Sequence, residues 1–194
     1  MTTVLASPLL TDRGGPSARM RVDNGSTDFF AGREFRTFRK FAGLAAGASI
    51  YIKVVSPIDF LVVGLGIQVD DGWCSLEAFA DAPGNLVVPT GDFNVPLPIL
   101  GANRMLSRPK DEFGNYYQPQ LIINEGAVGA SFSGGMLLDP LSARSPGSTA
   151  QASTQDAAVA GERGLPPMTA WLKITNIGSG TATGKLQARW ADRP

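Results

Sequence analysis

The sequence predicts an all-β fold: an antiparallel β-sandwich or jelly roll of about eight strands, preceded by an extended N-terminal arm. Three observations lead there. First, 23 glycines and 14 prolines are spread over 194 residues, which leaves little room for long helices. Second, several segments of seven or more residues alternate apolar and polar side chains with period two, the pattern of a half-buried strand. Third, 43% hydrophobic residues in a chain of this length is enough for one domain with its own core.

Taken in order, residues 1–28 carry Pro8, Gly14, Gly15, Pro16, Asn24 and Gly25 between short apolar islands, and read as the arm. Leu9 and Leu10 are its candidate anchors on a neighbouring subunit. A β-sandwich domain is expected over 29–194. In its first segment, FFAGREFRTFRKF, the spacing of Phe35, Phe38 and Phe41 also suits a helix, while the aromatic and threonine content favours a strand. SIYIKVVS (49–56) places Ile50, Ile52 and Val54 on one face. FLVVGLGIQVDDG (60–72) places Val63, Leu65, Ile67 and Val69 on one face.

Asp70-Asp71-Gly72 reads as the turn of a hairpin into WCSLEAF (73–79), with a short helix over 75–81 as the competing reading. NVPLPIL (94–100) contains Pro96 and Pro98, which donate no ladder hydrogen bond, so it belongs at a sheet edge or outside the sheet. QLIIN (120–124) and ASFSGGMLL (130–138) are further short strands. Residues 139–164 lack any aromatic residue and read as a long surface loop. TAWLKITN (169–176) and TATGKLQARW (181–190), joined by a glycine-rich turn, read as a C-terminal hairpin. In the second of these, Leu186, Ala188 and Trp190 oppose Lys185, Gln187 and Arg189.

Composition narrows the chemistry. Seventeen basic residues balance seventeen acidic ones, so the chain has no net field to hold nucleic acid. No stretch is long and apolar enough for a membrane span, and the first residues do not form a signal peptide. The absence of histidine removes the usual triads, histidine-based zinc sites and the commonest general base. Cys74 is the only thiol, which excludes an intrachain disulfide and suits a reducing compartment. No enzyme activity, cofactor or metal is therefore expected.

Asp59, Asp70, Asp71, Glu77 and Asp81 lie close in sequence and could support glycoside hydrolysis, and Asp70 and Asp71 could bind calcium, but a polar turn with solvated strand ends is the plainer reading. Gly64-Leu65-Gly66 lacks the third glycine of a dinucleotide fingerprint and reads as a packing or bulge feature of a strand. Asn24-Gly25-Ser26 matches a glycosylation acceptor but reads as a turn. Trp73, Trp171 and Trp190 are expected in core or interface positions more than in a sugar-stacking platform. The cluster Arg33, Arg36, Arg39 and Lys40 is the candidate protein interface: arginine suits docking on an acidic surface, and a solvated strand face that discourages edge pairing is the plainer reading.

RVDNGSTDFFAGREFRTFRKF, SPIDFLVVGLGIQVDDG, PLPILGANRM and ERGLPPMTAWLKITNIGSGTATGKLQARW, taken in order, resemble virion structural proteins of tailed bacteriophages. That resemblance implies a capsid decoration, or cement, subunit that stabilises the phage head by binding the major capsid protein. The alternative it implies is a tail or head-fibre component that binds host surface carbohydrate. It also implies a location in the virion, with assembly in the host bacterial cytoplasm. Arms that cover neighbouring subunits, and a homo-oligomer, trimer or dimer, are the matching expectations.

Overall fold

The computed structural model describes residues 27–102, 110–145, 157–158 and 163–194. Among them a single helical turn, α1 (Thr27–Phe30), precedes fourteen strands. These are β1 (Glu34–Leu44), β2 (Ser49–Ser56), β3 (Asp59–Asp71), β4 (Trp73–Ala80), β5 (Val88–Thr90), β6 (Val95–Pro96), β7 (Ile99–Gly101), β8 (Ile122–Glu125), β9 (Ser131–Ser133), β10 (Met136–Arg144), β11 (Ala157–Ala158), β12 (Arg163–Leu165), β13 (Met168–Asn176) and β14 (Ala182–Arg193). Sheet 1 runs β11-β3-β14-β1-β7, with β12 also on β3. Sheet 2 runs β10-β4-β13-β2-β8-β6. The pairings are antiparallel, and the two sheets bury their inner faces in one apolar core: an all-β sandwich, as the alternation predicts.

Sheet 1 contributes Phe35, Phe41, Phe60, Ile67, Val69, Leu186 and Trp190 to that core; sheet 2 contributes Ile52, Leu76, Leu172, Ile174 and Ile123. A separate pair, β5-β9, lies over the outside of sheet 2, where Phe132 of β9 stacks against Tyr51, Phe79 and Trp171.

Neither expected hairpin forms. β3 belongs to sheet 1 and β4 to sheet 2, so Asp70-Asp71-Gly72 carries the chain across the core instead of back along the same sheet. β13 and β14 separate in the same way, across Ile177–Thr181. Alternation reveals which face of a strand is buried, but two amphipathic strands bury their faces equally well side by side or across a sandwich. Gly72 makes the first crossing: its φ is +89°, and a Cβ there would stand 2.9 Å from that of Ala182. Asn176, fully buried, ties the crossings together. Its amide donates to the carbonyls of Leu44 (2.8 Å) and Gly180 (2.7 Å), and its side-chain oxygen accepts from Gly178 N–H (2.9 Å).

Three further expectations change. Residues 139–144, assigned to the long loop, continue β10 along β4, with Leu141 opposite Leu76 and the buried Ala143 opposite Cys74. β11 and the first two residues of β12 also fall within 139–164, paired to β3. Leu141 and Leu165 of these strands pack against the core, so the lack of aromatics did not exclude pairing. The third change is in β3, where a bulge between the pairs Arg189↔Gly64 and Trp190↔Val62 inserts Val63, turning Val62 and Phe60 to the core in its place.

The proline-bearing segment does take edge positions, β6 on sheet 2 and β7 on sheet 1. The four residues of α1 replace the start of the strand expected from Phe29, and their first two, residues 27 and 28, end the expected arm in a helical turn. The remainder of the arm, including Leu9, Leu10 and Asn24, lies outside the described residues, as do 146–156 and 159–162.

Candidate functional site

The alternation of β1 sends Phe35, Thr37 and Phe41 inward and leaves Arg36, Phe38 and Lys40 exposed on the outer side of sheet 1. On β14, Leu186 and Trp190 point inward while Gln187 and Arg189 are exposed and Lys185 half-buried. Antiparallel register brings these outward rows together: Arg36 opposite Arg189, Phe38 opposite Gln187, Lys40 opposite Lys185. The next strand extends each row, with Gly64 beside Arg189, Gly66 beside Gln187 and Gln68 beside Lys185.

Two glycines beside two rows of long side chains leave a hollow of about 650 Å³, walled on the β7 side by Leu100. Its rim is cationic. Arg189 is paired with Glu34, a carboxylate 1% exposed at the end of the same face. Arg36, Lys40 and Lys185 make no ion pair among the described residues. Like charges directly opposite each other across two strands are destabilising; this face holds two such pairs four residues apart, of which Glu34 offsets Arg36–Arg189 while no carboxylate among the described residues offsets Lys40–Lys185.

The four basic residues singled out in the sequence thus divide. Arg36 and Lys40 share the trough, whereas Arg33 and Arg39 turn elsewhere. Arg33 donates to Asp28 (2.8 Å), whose other oxygen meets Arg193 at 3.2 Å, which fastens α1 to the end of β14. Arg39 points between the sheets at their edge and forms a two-pronged pair with Glu125 of β8, Nη2 to Oε1 at 2.8 Å. The Glu125 carboxylate raises the Arg39 guanidinium above its ordinary pKa, against the burial that lowers it. Lys185 and Arg189 complete the trough and were not grouped with Arg36 and Lys40, because sequence alternation exposed their outward face without naming β1 as the neighbour.

The grouped carboxylates do not converge. Asp59 and Asp71 stand at opposite ends of β3. Glu77 faces Lys173 (3.7 Å), and Asp81 accepts from Val87 N–H (2.7 Å), pinning the approach to β5. No group of three or more acids or thiols is placed to hold a metal ion among the described residues.

The acid with the most distinctive surroundings is one that sequence reasoning passed over, Asp192. Fully buried, it accepts from Gln120 N–H (2.8 Å) and Trp190 Nε1 (3.1 Å), and burial pushes its pKa up. Burial likewise pushes the Cys74 thiol up to about 11, far from a reactive thiolate. Of the tryptophans, Trp171 and Trp190 are buried; Trp73 is 40% exposed, with the Arg144 guanidinium 5.6 Å from its ring centre. No family model, curated protein or solved structure matches the chain.

Proposed function

We propose that this protein is a non-enzymatic structural subunit, a capsid decoration protein of a tailed bacteriophage, which docks on an acidic surface of the major capsid protein through the outer face of sheet 1. One observation carries the reading: two cross-strand pairs of like cations, on a face with a glycine floor that the described residues leave open. The Lys40–Lys185 pair costs the isolated fold a few tenths of a kcal/mol, the Arg36–Arg189 pair less because Glu34 offsets it, and an acidic partner converts the remaining cost into charge-assisted contacts. The winding agrees with the family resemblance. β1, β3 and β14 lie in sheet 1 while β2, β4 and β13 lie in sheet 2, so successive strands alternate across the core, as in a jelly roll.

Docking is tested by titrating the purified chain onto phage heads stripped of it and measuring co-sedimentation. Lys40→Glu with Lys185→Glu is expected to weaken attachment at least tenfold and to remove most of its salt dependence. Attachment that is insensitive to both changes overturns the assignment of this face. The same preparation, examined by light scattering, tests the proposed dimer or trimer.

A second reading, a tail or head-fibre component that binds host carbohydrate, rests on Trp73. This ring lines a surface hollow with Asp71, Arg144 and the Ile177–Thr181 crossing, where a sugar could stack. Glycan-array binding that disappears with Trp73→Ala would favour it over the decoration role.

A further inference from the structure

One glycine of the trough floor, Gly64, is not demanded by the fold. A Cβ built at Gly64 meets nothing within 4 Å, and its φ lies outside the left-handed region. Glycine in a strand interior nevertheless weakens the strand by roughly 0.5–1 kcal/mol relative to alanine. Gly184 on the neighbouring strand differs, since a Cβ there would stand 2.3 Å from the carbonyl oxygen of Gln68. Gly184 is needed for packing; the gap at Gly64 is filled by nothing among the described residues.

The rows above that floor have a spacing. Arg36 with Arg189 and Lys40 with Lys185 are separated by the Phe38–Gln187 row, about 13 Å from one cation pair to the other at the rise of a β-strand. An extended polypeptide laid along the strands repeats on the same ruler. Its residues i, i+2 and i+4 face the sheet together, so two carboxylates four residues apart reach the two cation pairs while the side chain between them rests on Phe38. On a helix the same two carboxylates would be only about 6 Å apart. A uniformly charged polymer, such as a uronate chain or a nucleic-acid strand, would set charge against Phe38 and Leu100 as well.

We propose that the trough seats an extended acidic segment of the partner protein, of the pattern acidic-x-apolar-x-acidic, with its backbone passing over Gly64 and Gly66. The proposal rests on the docking role of this face and specifies its occupant.

The test uses the full chain and fluorescein-labelled nine-residue peptides, read by anisotropy at low ionic strength. Glu-Ser-Val-Ser-Glu at the centre of the peptide is expected to bind at least tenfold tighter than the same composition with its glutamates three apart, and tenfold tighter than an oligouronate of equal charge. Gly64→Val is expected to weaken the peptide tenfold with an undiminished urea midpoint, and Gly64→Ala to give a smaller loss. Equal affinity for the two peptides, or a preference for the oligouronate, overturns the proposal. Wild-type binding by Gly64→Val combined with loss in Lys185→Glu also overturns it while leaving charge-driven docking intact. If Lys185→Glu binds like the wild type too, the docking role falls with it.

Discussion

The outer faces of the two sheets are built from the same alternating positions and end up in opposite states. On sheet 2, Tyr51, Phe79 and Trp171 point outward, and the chain returns to cover them: Phe132 packs against all three, with ring centres 5.3 to 5.5 Å away, and Phe93 stands edge-on to Trp171 at 5.0 Å. The β5-β9 cover is fixed by Asn85, whose side chain both donates to and accepts from the backbone of Gly135. On sheet 1, the outward positions of β1, β14 and β3 hold cations, one phenylalanine and two glycines, and the described chain leaves them as an open hollow. Apolar outward residues are satisfied within the molecule. The cationic ones of sheet 1 stay solvated among the described residues.

The contrast is broken most strongly by removing the ring at the centre of the cover. Phe132→Ala is expected to cost about 3 kcal/mol in urea denaturation, whereas Phe38→Ala on the open face should cost under about 0.5 kcal/mol. Equal losses would mean that the two faces are equally packed.

Glycines make the next comparison. Gly134 has φ +72°, and a Cβ there would lie 2.4 Å from the Leu86 carbonyl oxygen. Gly134→Ala should therefore destabilise by about 2 kcal/mol, while Gly64→Ala should be neutral or stabilise by about 0.5 kcal/mol.

Asp192 sharpens the comparison at the end of β14, the strand that supplies half of the trough. An asparagine has one acceptor oxygen for two N–H donors, so Asp192→Asn should cost about 1–2 kcal/mol. Because burial raises its native pKa, the wild type is stabilised below the ordinary carboxylate range and loses that contribution as pH rises through the raised value. The gap between wild type and Asp192→Asn should therefore narrow with rising pH in urea titrations, and a widening gap would contradict the direction of the shift. The smallest effect belongs to the rim: Lys185→Glu, facing Lys40, should raise stability by a few tenths of a kcal/mol in low salt and lose the gain in high salt.

The strands themselves were legible. β2 occupies the eight residues that the alternation marked, and the prolines of 94–100 do sit at edges. Their pairing was not, because period two records which side of a strand is dry and says nothing of its neighbour. Both misplaced hairpins follow from that gap. Val63 was misplaced because a bulge shifts the phase of alternation without altering composition.

The trough was half legible. Arg36 and Lys40 stood out as part of a basic cluster, yet Arg33 and Arg39 of that cluster turned out to be tethers to Asp28 and Glu125. Their replacements, Lys185 and Arg189, come from the far end of the chain. Gly64 read from sequence as a packing or bulge feature of a strand, and its openness could appear only once the register with Arg189 was known.

The place of β14 also governs how the protein comes into being. It follows every other described strand and lies in the interior of sheet 1, between β1 and β3; Glu34 meets an arginine 155 positions downstream. A chain leaving the ribosome therefore carries β1 and β3 with their mutual partner still unsynthesised and their apolar faces wet. Sheet 1 closes only after β14 has emerged, in the slow regime typical of distant strand pairing, and the waiting intermediate is the species most in need of a chaperone. A nick before Ala182 would likewise split the sheet down its middle instead of trimming an edge.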